Sequence, residues 1–159
     1  MRVVTRVEGS SSDSDALWRA HATELVRYAT LLVGPLDAHD IVSAAFVKVL
    51  AGRVRNADNI RAYLFRAVTN AAIDAHRAGA RRRLRDRHAV LSETVEGPET
   101  NIDLRRAIER LAPRQRAVVY FTYWEDLDAM AIAQTLRVTP STIRRDLRQA
   151  RLELQRSIG

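Results

Sequence analysis

The final stretch of this chain restricts its fold more than any other. From Thr139-Pro140 onward, Ile143, Leu147, Ala150, Leu154 and Ile158 recur at steps of three or four, which makes one narrow apolar stripe on an α-helix. Threonine supplies a side-chain oxygen for an N-cap, and proline suits the first helical turn, where no N–H is needed. At about 100° per residue, Ser141, Arg144, Arg145, Arg148 and Arg151 fall on other faces of that helix, mostly opposite the stripe. A shorter helix over residues 128–136 precedes it, with only Arg137-Val138 between. Two helices, a tight turn, and a second helix that is apolar behind and basic in front together describe a helix-turn-helix that reads DNA.

The rest of the chain is read as helical too. Asp13 to Asp15 start a helix in which Leu17, His21, Leu25, Tyr28 and Leu32 keep the period, and Gly34-Pro35 closes it. Asp37 is placed to cap the next helix, which carries Ile41, Ala45 and Val49, with Val42 and Phe46 beside them. Apolar around much of its circumference, that helix belongs between others. Residues 52–59 break the pattern, and from Ile60 a long helix with Leu64, Ala67, Val68, Ala71 and Ala75 in phase runs into Arg77, Arg81, Arg82, Arg83, Arg85 and Arg87. Such density exceeds what a helix C-terminus needs and suits phosphate contact. After a polar stretch holding Gly97 and Pro98, Thr100 or Asn101 caps a helix with Ile102, Ala107, Ile108 and Leu111, and Pro113 opens another. Val118 to Tyr123 has strand composition, but no partner strand is visible, so helix is preferred.

The expected architecture is therefore all-α: a disordered tail over 1–13, a helical domain over 14–88, a flexible linker over 89–100, and a helix-turn-helix domain over 101–159. A net charge of +7 and a pI near 10.8 favour a polyanionic partner. No cysteine is present, so disulfides and thiolate metal sites are excluded. No apolar run approaches the roughly 18 residues of a membrane span, and Arg2 and Arg6 precede no hydrophobic segment. A cytoplasmic location is expected. The four histidines are scattered, no His-Glu-x-x-His pair, glycine-rich phosphate loop or serine elbow occurs, and the acidic pairs suit caps and turns. No catalytic residue, metal or cofactor is expected.

Two motifs in order resemble a known family. Leu36-Asp37-Ala38-His39-Asp40-Ile41-Val42-Ser43-Ala44-Ala45-Phe46 and the run from Arg61 to Asp74 look like region 2 of extracytoplasmic-function (ECF) RNA polymerase sigma factors. Leu111-Ala112-Pro113-Arg114-Gln115-Arg116-Ala117-Val118 with the helix-turn-helix looks like their region 4. The resemblance implies a subunit that binds core RNA polymerase, through the β′ coiled coil and the β flap, and directs promoter recognition and duplex opening without chemistry of its own. It also implies that an anti-sigma partner is the usual regulator.

Carried over residue by residue, the resemblance assigns polymerase docking to Asp37, Asp40, Ile41 and Phe46. It assigns the melted minus-10 element to Arg53, Arg55, Asn56, Asn59, Arg61, Tyr63, Arg66, Asn70 and Arg77, which offer the cations, amides and stacking groups that opened strands require. For the minus-35 element, to which Thr142 is also assigned, Ser141, Arg144, Arg145 and Arg148 suit base edges, while Arg114, Arg116, Thr139 and Arg151 suit phosphates. The chain departs from the family at His39, Ser43 and Ala44, which replace Glu, Gln and Glu and weaken the acidic character of the docking helix. Arg137 stands where a turn glycine is usual, and Ala131 replaces the acid that would complete a capping box with Asp128. The competing reading is a stand-alone, dimeric helix-turn-helix regulator, in which the docking helix and single-strand reader have no role.

Overall fold

The computed structural model describes residues 9–53, 59–85 and 102–158. Residues 1–8 of the expected 1–13 tail, loop residues Arg55 and Asn56, Arg87, the linker, and the Thr100/Asn101 cap lie outside them, while 9–13 are helical and not a disordered tail.

Helix α1 (Gly9–Val33) begins ahead of the acidic residues expected to start it, so Asp13 and Asp15 lie within its first turns. It stops at Gly34, whose φ of 86° lies where a Cβ is resisted, and whose N–H bonds the Thr30 carbonyl at 2.9 Å. Pro35 then opens α2 (Pro35–Lys48). Asp37 is not its cap. Gly34 holds the N-cap position without a side-chain bond, and Asp37 lies in the first turn, where its carboxylate still faces the positive helix end. A π-helical turn (Val49–Arg53) follows. Helix α3 (Ile60–Arg85) is capped by Asn59, whose Oδ1 accepts from the Ala62 N–H at 3.0 Å.

The second half contains α4 (Ile102–Arg110), α5 (Pro113–Tyr123), α6 (Ala129–Leu136) and α7 (Pro140–Ile158). Among the described residues there is no strand, and 118–123 is helical. Pro113 opens α5, where the Gln115 side chain accepts from the Ala112 N–H at 3.0 Å. Asp128 caps α6 by accepting from the Ala131 N–H at 2.8 Å, and alanine at 131 leaves that box half made, as the sequence indicated.

Between α6 and α7, Arg137 is left-handed, with φ 54° and ψ 48°. A Cβ is unfavourable there, and the neighbouring Arg66 guanidinium adds like-charge repulsion. Arg137→Gly is expected to stabilise the protein by about 1 kcal/mol, read as a higher urea midpoint at unchanged slope. A lower midpoint would contradict the account of a strained turn.

Helix α1 packs on α2 and α3, and α7 packs on α4, α5 and α6. The two helical halves meet where α1 and α3 abut α5 and α6, and one apolar core runs through both. At its centre Tyr28, Phe65 and Phe121 are fully buried. Tyr28 lies 4.8 Å from Phe65, 4.9 Å from Tyr120 and 5.5 Å from Phe121, centroid to centroid, within the range of favourable tilted ring pairs. Thr69 donates to the Phe65 carbonyl at 2.7 Å, so its oxygen accepts from the Tyr28 hydroxyl at 2.6 Å. Burial pushes the Tyr28 phenol well above its usual range. Burial, with help from the Glu125 carboxylate, lifts Tyr120 to about 12.

Candidate nucleic-acid interface

The recognition helix α7 is held at its start by Thr139. Its Oγ1 lies 3.3 Å from the Thr142 N–H, 3.0 Å from Ser141 Oγ and 2.9 Å from Thr142 Oγ1, so the three hydroxyl groups form one network at the helix entry. Thr139 and Thr142 serve the cap first. Ile143 and Ala150 are fully buried, which turns Ser141, Arg144, Arg145 and Arg148 outward to solvent. The N-terminal half of α7 therefore presents a hydroxyl and three guanidinium groups, the donors that grip base edges and phosphates.

Behind this face lies a residue that the sequence reading missed. Asp146 is 3% exposed. It accepts from Arg114 Nε at 2.5 Å and Nη2 at 3.3 Å, and Arg145 Nε stands 3.8 Å away. This bidentate, charge-assisted pair ties α5 to the recognition helix. The signal was in the phase. Position 146 lies three after Ile143 and four before Ala150, so it shares the buried stripe, and a carboxylate there demands a cation. Arg114 is that cation rather than a wholly free phosphate contact.

Two other arginines need correction or qualification. Arg116 is not turned to DNA. It donates to the carbonyls of Leu111 (2.9 Å), Leu32 (2.8 Å) and Leu31 (3.4 Å), and also to that of Glu109. Its guanidinium thereby satisfies four carbonyls at the ends of α4 and α1, and burial lowers its pKa. Arg151 donates to the Tyr123 hydroxyl at 2.8 Å and lies over that ring at 5.8 Å, an exposed clamp between α7 and α5.

In the first half, the residues expected to read opened strands fall into two groups. Arg61 bonds Glu24 and, through Nη2 at 3.1 Å, Glu125; it also stacks 4.6 Å over Phe65. The hydrogen bond to Glu24 leads in raising its pKa. Arg66 reaches the Thr135 carbonyl at 3.5 Å and lies 5.4 Å over Tyr63, with burial lowering its pKa. Asn70 and Arg77, by contrast, are exposed and line a cleft of about 400 Å³ with Asp74, Arg114 and Val138. Asn59 is used as the α3 cap, and Arg53 belongs to the π turn.

On α2, Asp37 and Asp40 are exposed and Ile41 is half-buried. Phe46 is no surface anchor: it is 3% exposed and packs 4.7 Å from the Trp18 ring, because the inward face of α2 must be covered by α1. The exposed apolar residues are instead Leu36 (88%) and Val47 (64%), with Leu50 on the π turn. Leu36, Asp40, Ala44 and Val47 repeat at four, four and three, so they share one face. A search for buried periodicity passes over such a stripe, since only the packing of α1 shows which face is left open.

Among the described residues no group of three potential metal ligands occurs, and no helix is long and apolar enough to cross a membrane. The geometry thus defines an all-α DNA-binding protein with a helix-turn-helix reading head.

Comparison with known proteins narrows that class. Residues 17–83 match the family model for Sigma-70 region 2, and residues 101–154 match that for Sigma-70 region 4. The ECF RNA polymerase sigma factor SigM of Mycobacterium tuberculosis is 31% identical over 166 aligned positions, covering 99% of this chain and 83% of that protein. RNA polymerase sigma factor SigV of Bacillus subtilis is 29% identical over 124, covering 76% of this chain and 74% of its own length. The fold is also that of the sigma factor RpoE of Bartonella quintana, solved in complex with the anti-sigma factor NepR. The TM-score is 0.72 at 19% identity, over 92% of this chain and 96% of that one. The chain belongs to the ECF RNA polymerase sigma factors.

Proposed function

We propose that this sigma factor brings core RNA polymerase to promoters by dividing the work between its halves. The α2 stripe of Leu36, Asp40 and Val47, flanked by Asp37, docks on the β′ coiled coil: exposed apolar groups supply burial, and the carboxylates complement a basic partner. Asn70 and Arg77, with Arg61, Tyr63 and Arg66 when they are free, hold the melted minus-10 element. Helix α7 reads the minus-35 element through Ser141, Arg144, Arg145 and Arg148. The protein acts in the cytoplasm with the polymerase, supplies no chemistry of its own, and leaves room for an anti-sigma partner on the same α2 face.

One observation supports this reading most. A capped, arginine-faced recognition helix and an open apolar–acidic stripe occur on the same chain, and a stand-alone dimeric regulator has no use for the second. Val47→Glu adds a charge to the stripe without entering the core. Retention on immobilised core polymerase is expected to fall by about tenfold or more, while helicity and duplex binding are unchanged. Unchanged retention would remove α2 from the docking surface.

A further inference from the structure

Asp146 stands where fold stability alone favours an apolar residue. It is 3% exposed and lies on the buried stripe of α7, between Ile143 and Ala150. Taking a carboxylate and a guanidinium out of water costs about as much as their attraction returns, and a well-packed apolar pair in such a place is often as stable or more so. The pair with Arg114 is therefore poorly explained as a strut between α5 and α7.

The geometry gives the carboxylate another use. It accepts from Arg114 Nε at 2.5 Å and Nη2 at 3.3 Å, and so holds one edge of a planar fork. Nη1 and the outer hydrogen of Nη2 have no partner among the described residues, and the Arg114 side chain is 37% exposed. Arg114 also borders the cleft that Leu136 and Val138 line at the turn into α7, so its free edge opens beside the start of the recognition helix. An arginine that grips a phosphate ordinarily loses side-chain freedom on binding, whereas one already fixed by a carboxylate has lost it on folding. Arg145 Nε stands 3.8 Å from Asp146, too far for a hydrogen bond, so that guanidinium is left to the base edges.

Resting on the assignment of α7 to the minus-35 duplex above, we propose that Asp146 is a positioning residue for DNA: it fixes Arg114 with its free edge toward a backbone phosphate, and through that contact sets how α7 is seated in the groove. Phosphate contacts orient a protein on the duplex and carry no sequence information. Asp146 therefore tightens binding without choosing the sequence, although it brings a negative charge toward a polyanion.

The sign of one substitution tests this. Asp146→Asn raises the net charge of +7 by one, and charge alone predicts tighter binding to DNA. The expected result is the reverse. The probe is a labelled duplex selected by the full-length native chain from a random-sequence pool, and fluorescence anisotropy is read across a series of salt concentrations. Asp146→Asn should bind it about fivefold more weakly or worse, with the same sequence preference. Its log–log salt slope should be shallower by about 0.9, the share of one phosphate contact. Glu153→Gln, which removes a charge further along the same helix, should show neither change. Arg114→Met combined with Asp146→Val removes both partners and leaves no buried charge behind. That variant should unfold at or above the native urea midpoint, yet bind with the same shallower slope as Asp146→Asn. Binding by Asp146→Asn as tight as the native chain's or tighter would overturn the proposal, and so would weaker binding at an unchanged slope. A double variant that lost stability but kept native affinity would make the pair a strut after all. If the native chain selects no sequence from the pool, the minus-35 assignment itself has failed, and the proposal falls with it.

Discussion

Phe121→Ala is expected to destabilise the folded protein by about 3–5 kcal/mol, the largest stability effect of any single truncation considered. The ring is 1% exposed and touches both halves of the core, lying 5.5 Å from Tyr28, 5.6 Å from Phe65 and 5.6 Å from Tyr120. Truncation leaves a cavity whose walls are other rigid rings, which collapse poorly into it. Phe121→Leu keeps most of the volume and should lose much less, about 1.5 kcal/mol or under. Urea unfolding followed by circular dichroism measures both. A loss below about 1 kcal/mol for alanine would mean that the aromatic junction contributes little, and that each half is stabilised by its own helices alone.

The second large effect is on DNA. Arg144→Ala with Arg148→Ala is expected to weaken binding to the cognate minus-35 duplex by two to three orders of magnitude, since each bidentate arginine–guanine contact contributes roughly 1–3 kcal/mol. Both side chains are exposed, so the urea midpoint should not move. Arg116→Ala should behave in the opposite way. It orphans carbonyls at the ends of α1 and α4, lowers the midpoint, and leaves sequence preference intact. If the double variant retained its affinity while Arg116→Ala lost sequence preference, the reading and scaffolding roles would have to be exchanged.

The contrast between those arginines shows what the sequence could and could not convey. Most helix starts were legible because their chemistry is local: Pro113 and Pro140 open helices, Asp128 and Thr139 cap them, and Gly34 ends one, whereas the start of α2 was placed at Asp37 instead of Pro35. The left-handed turn at Arg137 was indicated only by the family resemblance, which puts glycine at that position. The outward face of α7 followed from the phase of Ile143 and Ala150. Roles that depend on distant partners were not legible. Arg116 sits beside Arg114 in sequence, and nothing local says that one meets a carboxylate thirty-two positions away while the other meets the carbonyls of α1. Phe46 was misassigned because an aromatic on a helix apolar around most of its girth is equally suited to a core and to an interface until Trp18 is seen to cover it.

The shared core had the same origin. Tyr28 was in phase on its own helix, but amphipathic phase says which face is buried and never that Phe65 and Phe121 would meet it. Asp146 is the exception among the missed residues, because its place in an apolar stripe was readable in advance.

The most direct test of the central claim is run-off transcription by bacterial core RNA polymerase on a promoter library, with and without this protein. Start sites that appear only when it is added, and that share two sequence motifs at fixed spacing, are the predicted result. Absence of new start sites, together with specific binding of duplex DNA by the protein alone, would contradict it and leave a helix-turn-helix regulator on a sigma-like fold.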